Sequence, residues 1–222
     1  MATFVLVPGA CHGGWWYEPL AAELRQEGHT AYPVTLTGLG DPQELLAAPI
    51  NLDTHIEDVV RLLAEADLHD VVLCGHSYAG MVITGAADRV PERIASLVYV
   101  DAFVPEDGAS VMSLTSGVWH DWYIGGAKAD GISVAPLPLL DPRATPHPLA
   151  SLVQAIRLTG ALDRVPRREY VYLANFENTP FTQFYERLLG DPAWHVRSLP
   201  VGHNILRDAP DDFREILLNA AP

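Results

Sequence analysis

The stretch Val71-Val72-Leu73-Cys74-Gly75-His76-Ser77-Tyr78-Ala79-Gly80 decides the fold. Its first four residues form an unbroken apolar run, the pattern of a strand buried on both faces. A small-x-Ser-x-small turn follows, and then a helix is expected from Ala79 to Asp88. A strand that turns this sharply into a helix strains the backbone of its central residue, and side chains two positions either side would collide. Gly75 and Ala79 meet that demand, with alanine in place of the usual second glycine and Gly80 directly after it. The turn sets Ser77 at a helix N-terminus, as a nucleophile, and frees the Tyr78 amide to meet a developing oxyanion. An incidental serine in a glycine-rich turn has the same letters; the flanking strand and helix favour the nucleophile.

Outward from this turn, strands and helices alternate. Strands are expected at Phe4–Val7, Thr30–Leu36, Val71–Cys74, Leu97–Val100, Tyr170–Ala174 and His195–Leu199. Between them, helices are expected at Tyr17–Glu27, from the capping-box spacing Thr54-His55-Ile56-Glu57, at Pro180–Leu189 and from Pro210. The alternation predicts an α/β fold with a doubly wound, mostly parallel sheet of about six strands. It lapses between residues 105 and 165, which are rich in proline and glycine and hold Trp119, Trp122 and Tyr123. Residues 1–104 and 166–222 are therefore expected to form the core, and 105–165 a cap inserted after the fourth strand.

The 222 residues suit one domain, and 49% hydrophobic with 19% charged residues excludes disorder. A net charge of −14 argues against nucleic acid and anionic membranes as partners. The N-terminus reads as a strand rather than a signal peptide, and no apolar run reaches the length of a membrane span. Two cysteines, Cys11 and Cys74, are too few for a disulfide scaffold and are expected as buried free thiols in a cytoplasmic protein. A homodimer is left open. No metal-ligand spacing is present, and Gly38-Leu39-Gly40 lacks the further residues of a nucleotide-binding loop, so neither metal nor cofactor is expected.

A serine nucleophile needs a base, which in this architecture follows the last strand. Pro200-Val201-Gly202-His203-Asn204 stands there, making His203 the candidate. His76 is expected to point away from Ser77, and His29, His55, His69 and His195 read as helix-cap or surface residues.

Four places together resemble one branch of the α/β-hydrolases: Pro8-Gly9-Ala10-Cys11-His12-Gly13-Gly14-Trp15, the Gly-His-Ser-Tyr-Ala-Gly turn, Asp101-Ala102-Phe103-Val104-Pro105 and Gly202-His203. The branch is that of the plant methylesterases and hydroxynitrile lyases with their bacterial esterase relatives. The resemblance covers nearly the whole chain and is weakest in the cap. It implies a Ser-His-acid triad, no cofactor, and an oxyanion hole made by the amides of Ala10 and Tyr78. Family lyases carry a threonine where this chain has Gly9 and a lysine where it has Asn204, and Lys128 is the only lysine here. Cyanohydrin cleavage is accordingly disfavoured. Many relatives place the triad aspartate after the penultimate strand, where this chain reads Asn175-Phe176-Glu177-Asn178. Two carboxylates are open. Asp101 is favoured, since some α/β-hydrolases place the acid after that strand, and Glu177 is the alternative.

His12 can touch substrate or brace its loop, and at least one of Trp15 and Trp16 is expected in the core. Trp119, Trp122 and Tyr123 can line the pocket or pack on one another. The activity expected is hydrolysis of a small, fairly apolar carboxylic ester, thioester or lactone. A non-hydrolytic binding or tailoring protein on the same fold is the alternative.

Overall fold

The computed structural model describes residues 1–40, 49–127 and 130–222. Lys128 lies outside the described residues. Six parallel strands form the sheet, in the order β2-β1-β3-β4-β7-β8. They are β1 (Thr3–Val7), β2 (Thr30–Pro33), β3 (Val71–His76), β4 (Ile94–Val100), β7 (Arg167–Leu173) and β8 (His195–Leu199). α1 (Glu18–Gln26) and α9 (Pro210–Ala220) cover one face, α2 (Leu52–Glu65) and α3 (Ala79–Arg89) the other.

Alternation along each central strand divides the core. Phe4, Leu6, Val72, Cys74, Val98 and Val100 face the α1/α9 layer, while Val5, Val7, Leu73, Leu97 and Tyr99 face the α2/α3 layer. Both sets are fully buried, which is why these strands read as continuous apolar runs. Cys11 and Cys74 are buried free thiols. Among the described residues no helix is long and apolar enough to cross a membrane.

Several bounds shift: β2 ends at Pro33 rather than Leu36, and β4 and β7 begin three residues earlier than expected, at Ile94 and Arg167. α2 begins at Leu52, two residues before Thr54, because Asn51 is the cap. Asn51 Oδ1 accepts from the Thr54 amide at 3.0 Å, and Thr54 Oγ1 accepts from the Asn51 amide at 3.2 Å, so Thr54 closes the box instead of opening it. Trp15 and Trp16 are both half-buried, and Trp16 packs against the core on the α1/α9 side. A single 3-10 turn over Gly14–Trp16 precedes α1 and delivers the fully buried Tyr17 to the core beside Trp16.

Between β4 and β7 the chain leaves the sheet. It forms α4 (Val111–Leu114), α5 (Val118–Ala127), the short antiparallel pair β5 (Ser133–Val134) and β6 (His147–Pro148), and α6 (Leu149–Val153). After β7 come α7 (Thr182–Leu188) and α8 (Ile205–Asp208).

The segment leaving β4 crosses directly over the start of α3. A Cβ on Gly80 would lie 2.0 Å from the Phe103 carbonyl oxygen, a backbone atom that cannot swing aside. Gly80→Ala is therefore expected at or beyond the upper end of overpacking costs, about 3 kcal/mol. Thermal denaturation should show Tm lower by roughly 6–12 °C for a chain of this size. Gly125→Ala, exposed in the last turn of α5 where a Cβ meets nothing within 4 Å, should not lower Tm.

Candidate active site

The site lies at the C-terminal edge of the sheet. Ser77 follows β3 with φ +56°, and Asp101 follows β4 with φ +42°. Cys11, beyond β1, and Asn178, beyond β7, are also left-handed, with φ of +67° and +55°. Such backbone in residues other than glycine persists only where the surroundings enforce it, and four cases on one edge mark a functional site. At Ser77 the enforcement is explicit: its amide donates to the Val100 carbonyl at 3.2 Å, and its carbonyl accepts from the Phe103 amide at 3.2 Å.

His203 stands on the loop between β8 and α8. Its Nδ1–H donates to Asp101 Oδ2 at 2.6 Å, which leaves Nε2 unprotonated. Asp101 is fully buried, and its other oxygen accepts from the Leu173 amide. Burial acts on both partners toward neutrality, raising the Asp101 carboxyl and lowering the His203 imidazole, with a smaller push on His203 from nearby His12. The imidazole is therefore neutral at pH 7.

Glu177 does not reach this histidine. The loop after β7 turns at left-handed Asn178 and leaves Glu177 exposed. It presents Phe176 instead, which stacks on the imidazole at 4.3 Å and 17°. Trp119 packs edge-on against Phe176, and its indole N–H donates to the Asn178 carbonyl at 2.6 Å. His76 holds the other side of His203, its ring at 4.3 Å and its Nε2–H donating to the His203 carbonyl at 2.9 Å. His76 also stacks on Trp16 at 4.7 Å.

Ser77 and His203 line one cavity of about 440 Å³. Gly9, Ala10, His12 and Tyr78 form its floor, and Trp119, Trp122 and Tyr123 line it from the segment between β4 and β7. The three aromatics also pack on one another, so both uses foreseen for them coexist. His12 likewise lines the cavity while its Nδ1–H braces the Ala10 carbonyl at 2.8 Å. Gly9 passes so close to the serine turn that a Cβ there would stand 2.9 Å from His76 Nδ1 and 3.1 Å from Ser77 Cβ. Asn204 also lines the cavity, while its side-chain oxygen caps α8 by accepting from the Arg207 amide.

Sequence reading missed several groups here. Phe176, Phe181, Trp16 and His76 all line the cavity, as do Leu137, Leu139 and Leu140. The signal for Phe176 was adjacency to the expected acid loop. His55 was misread as a surface or capping residue. It is fully buried, with Nε2–H donating to the Thr37 carbonyl and Nδ1 accepting from the Tyr78 hydroxyl at 2.7 Å. A buried imidazole without such partners would be costly, and single-sequence periodicity does not register partners on other segments.

Comparison with known proteins identifies the family and the fold. A family model described as "Alpha/beta hydrolase family" matches residues 4–216. A carbendazim hydrolyzing esterase from Nocardioides sp. (strain SG-4G) is 38% identical, covering 98% of each chain. Methylesterase 18 from Arabidopsis thaliana is 27% identical over 98% of this chain and 96% of its own. Among solved structures, an extracellular alpha/beta-hydrolase from a Paenibacillus species superposes with a TM-score of 0.85 at 25% identity. That match covers 100% of this chain and 99% of the other, which is described as sharing structural and functional homology with tobacco salicylic acid binding protein 2.

Proposed function

The chain belongs to the alpha/beta hydrolase family and is a carboxylic ester hydrolase, and from that premise we propose a serine mechanism acting on small esters that carry a flat, apolar ring. Ser77 Oγ attacks the ester carbonyl while His203 Nε2 takes its proton. Asp101 holds the Nδ1–H and stabilises the imidazolium that forms. The Ala10 and Tyr78 amides receive the oxyanion. His203 returns the proton to the departing alkoxide, and water activated by the same nitrogen then releases the acid and frees Ser77.

The bond of 2.6 Å between His203 Nδ1 and the buried Asp101 carboxylate, beside a cavity that Ser77 also lines, carries this reading. It leaves Nε2 without a hydrogen, on a side chain that lines the same cavity as Ser77. The substrate class is supported by the walls. Trp119, Trp122, Phe176 and Phe181 offer aromatic faces and edges to a planar group, and about 440 Å³ suits a small molecule. The relatives named for carbendazim hydrolysis and as a methylesterase agree with ester-type cleavage of small molecules.

A fluorophosphonate probe is expected to label the protein once, with the adduct mapped by peptide mass spectrometry to the peptide holding Ser77. Absence of label, or label on another residue, would overturn the serine mechanism.

A further inference from the structure

Beneath the cavity floor lies a second group of side chains that the mechanism above does not use. His147, on β6, is fully buried beside Tyr78, His55 and Ser151, which are buried too. Its Nδ1 accepts from the amide of Cys11, which follows Ala10, at 3.3 Å. Because that amide can only donate, Nδ1 is unprotonated and the proton sits on Nε2. Nε2–H donates to Ser151 Oγ at 2.9 Å, and the Ser151 hydroxyl donates to the Pro148 carbonyl at 2.8 Å. Each hydrogen in the chain has one acceptor, so a neutral His147 in a single tautomer satisfies it completely. Burial, aided by neighbouring His55, keeps His147 well below the usual imidazole range.

The Ala10–Cys11 peptide is gripped at both ends. His12 Nδ1–H holds its carbonyl, and His147 holds its N–H. Cys11 needs the grip, because its φ of +67° is unfavourable for a residue with a side chain. One residue further, the Cys11 carbonyl accepts from the Thr145 amide at 2.9 Å, and Thr145 Oγ1 donates to the Leu39 carbonyl at 3.1 Å. On its other side the His147 ring meets Tyr78 edge-on, at 4.4 Å and 76°. One side chain therefore touches Tyr78 and the Ala10–Cys11 peptide, the unit next to the Ala10 amide.

We propose that His147 is a positioning residue for the oxyanion hole: accepting from the Cys11 amide and packing on Tyr78, it fixes the Ala10 and Tyr78 N–H groups relative to each other. This rests on the serine-esterase reading. The anchor comes from the segment between β4 and β7, which also builds the roof of the cavity. That segment thus sets the geometry of the chemistry as well as access to it.

Three replacements separate the bond from the volume. Asparagine at 147 puts an amide oxygen near the place of Nδ1, glutamine reaches toward Nε2 instead, and leucine offers no acceptor. With a p-nitrophenyl ester, His147→Leu and His147→Gln are expected to lower kcat about 10–100-fold, less than outright loss of an oxyanion donor. KM should stay within about threefold, because a neutral ester asks less of the hole than the oxyanion does. His147→Asn should recover most of the rate. Affinity for a trifluoromethyl ketone, which forms an oxyanion on the serine, should fall in step with kcat. Ser151→Ala loosens the ring while keeping the bond to Cys11, and should show the same pattern at about threefold to fivefold. It decides the matter if the His147 variants do not fold. Unchanged kcat in both His147→Leu and Ser151→Ala, or equal rates for asparagine and glutamine, would overturn the positioning role. A loss of kcat without loss of ketone affinity would do the same. If Ser77→Ala retains turnover in parallel, it is the serine mechanism that fails.

Discussion

Ser77→Ala is expected to lower kcat for p-nitrophenyl esters by about 10⁵–10⁶-fold while leaving Tm within a few degrees of the parent. The size follows from the role. Without the hydroxyl there is no acyl-enzyme, and the aligned His203 and oxyanion amides retain only a residue of general catalysis. Stability should change little because Ser77 is only partly buried and its backbone bonds to Val100 and Phe103 do not involve the side chain. Its φ of +56° is no better suited to alanine than to serine, so no gain is expected either. Turnover in single and multiple cycles, measured with protein purified free of host esterases, checks the result. Residual activity within tenfold of the parent is incompatible with Ser77 as nucleophile.

The second large effect separates two carboxylates. Asp101→Asn should cost about 10⁴-fold in kcat, because an amide at this place favours the wrong imidazole tautomer and cannot stabilise the imidazolium. The shape is nearly unchanged, so the loss reports charge and tautomer rather than packing. The Leu173 amide keeps an oxygen to which it can donate. Glu177→Gln should change kcat less than twofold, since Glu177 is exposed and Phe176 occupies the approach to the imidazole. The reverse ranking would move the acid to the loop after β7. Equal, small effects would mean that His203 works without a carboxylate.

Much of this arrangement is legible in one dimension because it is local. Val71–Ala79 announces a buried strand, a tight turn and a helix by residue size alone. His203 is found by its order after the last strand. Asp101 is favoured from sequence but leaves Glu177 open, since the rival differs only in where a loop turns. That turn depends on left-handed Asn178 and on Trp119, 59 residues away, donating to the Asn178 carbonyl. His147 gave no signal at all. Its meaning rests on an amide 136 positions earlier, and no period or motif links the two. His55 failed for the same reason, since a histidine on an otherwise amphipathic helix reads as surface until Tyr78 and Thr37 are seen around it.

The cavity is assembled from two stretches of chain with different duties. Ser77, His203 and Asp101 stand on loops leaving the sheet, whereas Trp119, Trp122, Leu139 and Leu140 come from the excursion between β4 and β7. Substrate range can therefore change within one contiguous block of chain while the groups proposed to react stay untouched. His147 sets the boundary of that freedom. On the proposed reading, residues 118–140 can be rewritten to admit a new ester, but Thr145, His147 and Ser151 must be kept with the Cys11 loop they hold.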